Sequence, residues 1–278
     1  VNKNSFNNYE RKRRKQEMEK NIIRHYKPDP CETGGFSFKY VTDKRKVTCM
    51  KCITRMIQHG NLPKLRFIGE TIVGSTVWSM NTRYSDVDMF RVYAEKPENI
   101  LMGKKDYFPG FIQVDNKDIA THEAQKVVEE LLRGNINFLV GILSTKVVTA
   151  LDEFEELREI TRNNLSKNCY NSIHDMAKRN YLKYIATEKE ATTKKCNQIV
   201  RFINFGINLL LNHKVEFKPC ENAKPDDIMK KLSELDKAYE VSTLSDKPDE
   251  KPFRDWLLKL RLNDLKRNKR SPLDALFG

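Results

Sequence analysis

Residues 68–92, IGETIVGSTVWSMNTRYSDVDMFRV, constrain this chain more than any other stretch. An apolar β-type run, Ile68 and then Ile72-Val73, stops at Gly74-Ser75, and ten residues separate Ser75 from Asp86. Asp86 and Asp88 flank Val87 and lead into the apolar pair Met89-Phe90. On a strand, side chains at i and i+2 share a face, so this spacing predicts two adjacent carboxylates. Like charges so placed repel unless a cation neutralises them, and hard carboxylate oxygens suit Mg²⁺ shared with substrate phosphates. The Gly-Ser turn ahead of them offers backbone N–H groups and a hydroxyl suited to a phosphate. An isolated Asp-x-Asp is ordinarily a solvated strand edge; the Gly-Ser at this spacing favours the metal reading.

Gly-Ser, the spacer and Ser85-Asp86-Val87-Asp88 resemble the signature of the DNA polymerase beta nucleotidyltransferase superfamily. More narrowly they resemble its RNA-repair-associated nucleotidyltransferases. Further similarity lies in Val92-Tyr93, in Glu98-Asn99-Ile100-Leu101, in Asp118, in Glu123 with Lys126, and in Leu131-Leu132-Arg133-Gly134-Asn135-Ile136-Asn137. The resemblance spans roughly residues 62–260. It departs where the family has a Gly soon after the Ser, near Met80 here, and where it has Arg-Gly after the acidic pair, here Phe90-Arg91. It implies Asp86, Asp88 and Asp118 as catalytic carboxylates holding two Mg²⁺, with Asp115 the alternative third acid. It also implies that Gly74 and Ser75 hold the β/γ-phosphates, and that Lys195 or Lys194 contacts the triphosphate. The same basic pair reads equally as a solvated helix face.

The 278 residues allow one to two domains. Against 38 acidic residues stand 51 Lys and Arg, a net charge of +13 that favours anionic partners, nucleic acid above all. No apolar run of membrane length and no leader-like segment is present, so neither a span nor a signal peptide is expected. Six scattered cysteines suit a reducing, cytoplasmic setting.

The expected organisation is α+β. A basic arm (1–24) and a zinc module (25–60) precede a polymerase-beta-like palm of mixed sheet and helices (61–150). An all-α domain with a basic tail (151–278) follows. In the arm, a helix from Asn8 to Arg24 carries Arg11-Lys12-Arg13-Arg14-Lys15, either as a solvated face or as a phosphate-tracking segment. His25, Cys31, Cys49 and Cys52 form a closed ligand set for one structural Zn²⁺. They resemble small zinc modules of phage and bacterial proteins that use one histidine and three cysteines. The alternative is ordinary buried cysteines. Gly34-Gly35 with Phe36-x-Phe38-x-Tyr40 reads as a hairpin, and 50–59 as a helix.

Strands are expected near 65–69, 71–74, 86–93 and 111–119. Helices are expected over 121–133, capped by Gly134, and over 171–187 and 193–211. Another runs from Pro225 through Ala238, before a last amphipathic helix with Trp256, Leu257 and Leu260. The run Lys266 to Arg270 reads as a disordered tail or one lying on nucleic acid. His122 fits a packing role better than that of a base. The function expected is transfer of a nucleoside monophosphate from an NTP to a hydroxyl acceptor, with RNA favoured over DNA. Nucleotidylation of a protein or small molecule is the alternative, and a silent nucleic-acid-binding protein the second.

Overall fold

The computed structural model describes residues 23–26, 38–41, 65–83, 85–103, 110–114, 116–186 and 193–269. In chain order the elements are β1 (Ile23–Tyr26), β2 (Phe38–Val41), β3 (Arg66–Ile72), α1 (Gly74–Val77), β4 (Val87–Ala94) and α2 (Pro97–Leu101). They continue with β5 (Phe111–Val114), β6 (Lys117–Glu123), α3 (Ala124–Leu132), α4 (Ile136–Leu143), β7 (Val147–Ala150) and α5 (Asp152–Asn163). Then come α6 (Cys169–Asn180), a π-helical turn (Tyr181–Ile185), α7 (Thr193–Asn212), α8 (Pro225–Val241) and α9 (Glu250–Lys269). The architecture is α+β, as expected. The contacts divide the chain into two units, residues up to 64 with 105–121, and 65–104 with 122–278.

In the first unit β1 and β2 pair in parallel, Ile23 opposite Phe38. This corrects two expectations. Ile23 and Arg24 belong to a strand and not to the end of the arm helix, and the segment at 38–41 is not one arm of a tight hairpin. Parallel neighbours cannot be joined by a tight two-residue turn. Cys31, Cys49, Cys52, the basic run at 11–15 and the helix expected over 50–59 lie outside the described residues. The strand expected over 111–119 is a hairpin, with β5 and β6 antiparallel and Gln113 opposite Asp118.

In the second unit β3 is central, antiparallel to β4 on one side and to β7 on the other. The two short strands expected at 65–69 and 71–74 are this one strand. The helices beyond Leu151 share a single core with it. Ile68, Phe90 and Val92 of the strands cluster with Phe154 and Leu157 of α5, Ile173 of α6, Ile199 and Ile203 of α7, and Trp256 of α9. Arg158 of α5 closes the C-terminal end of α4 by donating to the carbonyls of Ile142 (2.9 Å) and Ser144 (3.0 Å). The Ser144 hydroxyl in turn donates to the Ile72 carbonyl at 2.6 Å, tying that corner to the end of β3.

The Leu131–Asn137 block is structural. Gly134 takes φ +69 after α3. Its N–H reaches Leu131 O (2.9 Å) while the Asn135 N–H reaches Glu130 O (2.9 Å), a Schellman termination. Asn135 then caps α4, its side chain accepting from Asn137 N at 3.0 Å.

The far end of the chain is held by charge. Arg66 of β3 pairs with Glu153 of α5 and, at 3.3 Å, with Asp264 of α9. Arg267 reaches Glu153 at 3.1 Å, and Arg261 pairs with Glu123. The Trp256 indole donates to Glu153 O at 2.7 Å. Lys266 and Arg267 are therefore part of a docked helix, which corrects the disordered-tail reading for them. No helix among the described residues is long and apolar enough to cross a membrane.

Candidate active site

The register of β3 against β4 builds the site. Ile72 stands opposite Met89, and Val73 N donates to Asp88 O at 2.8 Å. Strand β3 therefore releases the chain into the Gly-Ser turn beside Asp88. Gly74 has φ +62, and a Cβ built on it would lie 1.8 Å from Asp88 Oδ2 and 2.8 Å from Asp88 Cβ. Only glycine allows both this backbone conformation and this approach. Ser75 follows in the single turn α1, half-buried, and its hydroxyl has no hydrogen-bond partner among the described residues.

Asp88 is the second residue of β4, and Asp86 immediately precedes the strand. The loop delivering Asp86 is closed by Ser85, whose Oγ accepts from Thr82 N at 2.9 Å. Asp86 is exposed and has no hydrogen bond or ion pair among the described residues. The Asp86 and Asp88 carboxylates and the Ser75 hydroxyl are hard oxygen donors, the kind that suits a divalent cation such as Mg²⁺.

A residue that spacing did not single out completes the constellation. Arg201 on α7 is buried at 9 % exposure, its guanidinium 5.2 Å from the Trp78 ring and 5.4 Å from the Phe202 ring. Trp78 ends α1, and Phe202, Phe205 and Phe217 meet it edge-on at 5.0–5.8 Å. The turn carrying Gly74 and Ser75 is thus locked to α7. Arg201 donates to Met80 Sδ at 3.8 Å. Burial lowers the Arg201 pKa to about 10, opposed by the negative charge of Asp88. The sequence signal for Arg201 was a cation in the otherwise apolar stretch Ile199 to Ile203.

The basic pair opens α7. Lys194 is exposed, and the Lys195 ammonium lies 4.5 Å from the Tyr184 ring centroid. Asp118 lies on β6, half-buried, in the first unit, and Asp115 is outside the described residues. A groove of 750 Å³ elsewhere in the second unit includes Glu129, Arg133, Lys167, Tyr239, Asp246 and Arg254. None of the expected site residues lines it, and two of its cations have their own anions, Lys167 with Asp246 and Arg254 with Glu250.

His122 packs beneath this strand, its ring 4.6 Å from Phe90 and 4.7 Å from Phe138. Burial first, and the Lys126 charge second, push its imidazole down from 6.5 to about 4, with Glu130 opposing. Such a ring is neutral and apolar in use, in keeping with the packing role. The unfolded chain binds a proton below pH 6.5 that the fold refuses until about pH 4. Stability is therefore full above pH 6.5 and falls as pH drops through that window. Replacing His122 by Phe should flatten this acid limb by at most about 3 kcal/mol. Chemical denaturation at a series of pH values reads it, and an unchanged limb would refute the neutral imidazole.

Comparison with protein families matches residues 52–274, about four-fifths of the chain, to the RNA repair pathway DNA polymerase beta family. The chain belongs to that family. No curated protein matches it. Within this RNA repair pathway polymerase beta relative, the two departures noted above now have physical settings. Met80 presents its sulfur to Arg201, and Phe90 fills the core against His122 while Arg91 pairs with Glu70 at 2.7 Å.

Proposed function

We propose that this protein is a metal-dependent nucleotidyltransferase that moves a nucleoside monophosphate from an NTP to a hydroxyl at the end of an RNA. The observation carrying this is the Gly74 backbone lying against the Asp88 carboxylate, with Asp86 exposed two residues away. Family membership supports the polymerase-beta-type chemistry and the RNA repair setting. The +13 charge favours a polyanionic acceptor.

In the step proposed, the acceptor oxygen bonds to the α-phosphorus and the bond to the bridging oxygen breaks. The electron pair departs on pyrophosphate and the hydroxyl proton passes to solvent. Bound Mg²⁺ would supply Lewis-acid stabilisation of the attacking and leaving oxygens. Asp86 and Asp88 would hold the metal, the Gly74 and Ser75 turn would position the terminal phosphates, and Lys194 or Lys195 would add positive charge. Asp118 enters as third carboxylate on the family resemblance alone.

Incubating the protein with each labelled NTP, Mg²⁺ and separate RNA, DNA and protein pools tests the reading. Label in the RNA pool with pyrophosphate release is the expected result. Label in protein moves the acceptor to that class, and no label anywhere defeats the enzyme reading.

We also propose one structural zinc on His25, Cys31, Cys49 and Cys52, a ligand set read from the sequence. Elemental analysis of protein purified without chelator should find about one zinc per chain, lost in Cys49→Ser. Zinc-free wild-type protein would make these ordinary thiols.

A further inference from the structure

Arg201 is a costly side chain to leave as it stands. It is nine-tenths buried, still cationic at neutral pH, and forms no ion pair among the described residues. Its Nε has no hydrogen-bond partner, and the acceptor met by Nη1 is a thioether sulfur, among the weakest available. The surrounding surfaces are the Trp78 and Phe202 rings. Aromatic faces stabilise a guanidinium, but they do not replace the hydrogen bonds that water would have given it. Burial of a guanidinium so weakly partnered lowers stability, and a planar fork of donors is the group best suited to grip a phosphate through paired oxygens.

Its position fits that purpose. Asp88 is close enough for its charge to act on Arg201, and Trp78 fixes the guanidinium to the turn that carries Gly74 and Ser75. Along α7, Lys194 precedes Arg201 by seven residues, two helical turns, so both lie on one stripe of the helix about 10 Å apart. Lys195 is rotated off that stripe and rests on Tyr184.

We infer that Arg201 is a direct contact for the polyphosphate of the nucleotide, gripping the portion that leaves as pyrophosphate, with Lys194 next along the same stripe. This rests on the nucleotidyltransferase reading above. Negative charge grows on the leaving pyrophosphate as the phosphorus–oxygen bond breaks, so a fixed, desolvated cation there acts on the transition state as well as on binding.

The test uses the full chain, with inorganic pyrophosphate as probe, in Mg²⁺ and separately in EDTA. Binding is read by calorimetry, and the melting temperature of the free protein is read alongside. Arg201→Met keeps the length and suits the Trp78, Phe202 and Met80 surroundings. It should melt at or above the wild-type temperature while binding pyrophosphate about 10- to 100-fold more weakly in both media. Arg201→Lys, which keeps the charge but not the fork, should fall between.

A structural arginine gives the opposite pattern, in which Arg201→Met melts lower and binds as the wild type does. A loss confined to Mg²⁺ means that Arg201 acts through Asp88, and that too overturns a direct contact. If Arg201→Met does not fold, the arginine is structural, and unaltered binding by Arg201→Gln establishes the same. Wild-type protein that binds neither pyrophosphate nor any Mg²⁺-NTP defeats the parent reading itself, whereas equal binding by wild type and variant defeats this inference alone.

Discussion

The Asp86→Asn, Asp88→Asn double variant is expected to lose nucleotide transfer by at least ~1,000-fold while remaining folded. Asp86 has no partner among the described residues, so the fold gives up nothing there. At Asp88 two effects oppose. The variant replaces a carboxylate by an amide of the same shape, which keeps the packing, but it also removes the charge that offsets the buried Arg201. The melting temperature should therefore stay within about 3 °C of the wild type. Labelled-NTP transfer in Mg²⁺ and a melting curve on the same preparation decide it. Full transfer activity in the double variant would end the metal-dependent mechanism, and a collapse of the fold would make the pair structural.

Gly74→Ala is the second large expected effect. The new methyl must be accommodated where Asp88 Oδ2 stands, and the backbone must keep a left-handed conformation that alanine disfavours. Together these should cost roughly 2–4 kcal/mol, read as a fall of about 4–15 °C in melting temperature. Transfer should drop at least ~100-fold, because the displaced group is the carboxylate proposed to hold the metal. Gly103 supplies the control. It has φ +63 but nothing within 4 Å of a built Cβ. Gly103→Ala should carry the backbone penalty of about 1 kcal/mol and leave transfer unchanged. If both variants behave alike, the contact between Gly74 and Asp88 is not what the site depends on.

Much of this was legible because the residues involved obey local rules. The acid pair at i and i+2 with a Gly-Ser turn announced β4 and its neighbour, and Pro225 and Gly134 marked helix boundaries by backbone chemistry alone. What escaped depended on partners far along the chain. Helix α4, INFLVGIL, is apolar on every side, so no face stood out and its period was invisible. Strand β7 is short and mostly exposed and exists through its pairing with β3. The β5–β6 hairpin was merged into one strand because its two-residue connection lacked the Asn-Gly or Asp-Gly that usually marks such turns. Arg201 looked like one more cation on a helix. Its meaning comes from Trp78 and Asp88, more than a hundred residues earlier.

The ion cluster on α9 sets a timetable for the growing polypeptide. Arg66 lies on β3, the strand from which the acidic pair and the Gly-Ser turn take their positions, yet Asp264 emerges from the ribosome about two hundred residues later. Until then Arg66 has Glu153 but not Asp264, and Trp256 has yet to fill its place against α5. Closing contacts of such sequence separation are slow, and a partly made chain exposes apolar surface meanwhile. Nascent chains stalled before α9 should therefore be protease-sensitive throughout β3 and β4, and the setting of the acidic pair is completed only once α9 has emerged.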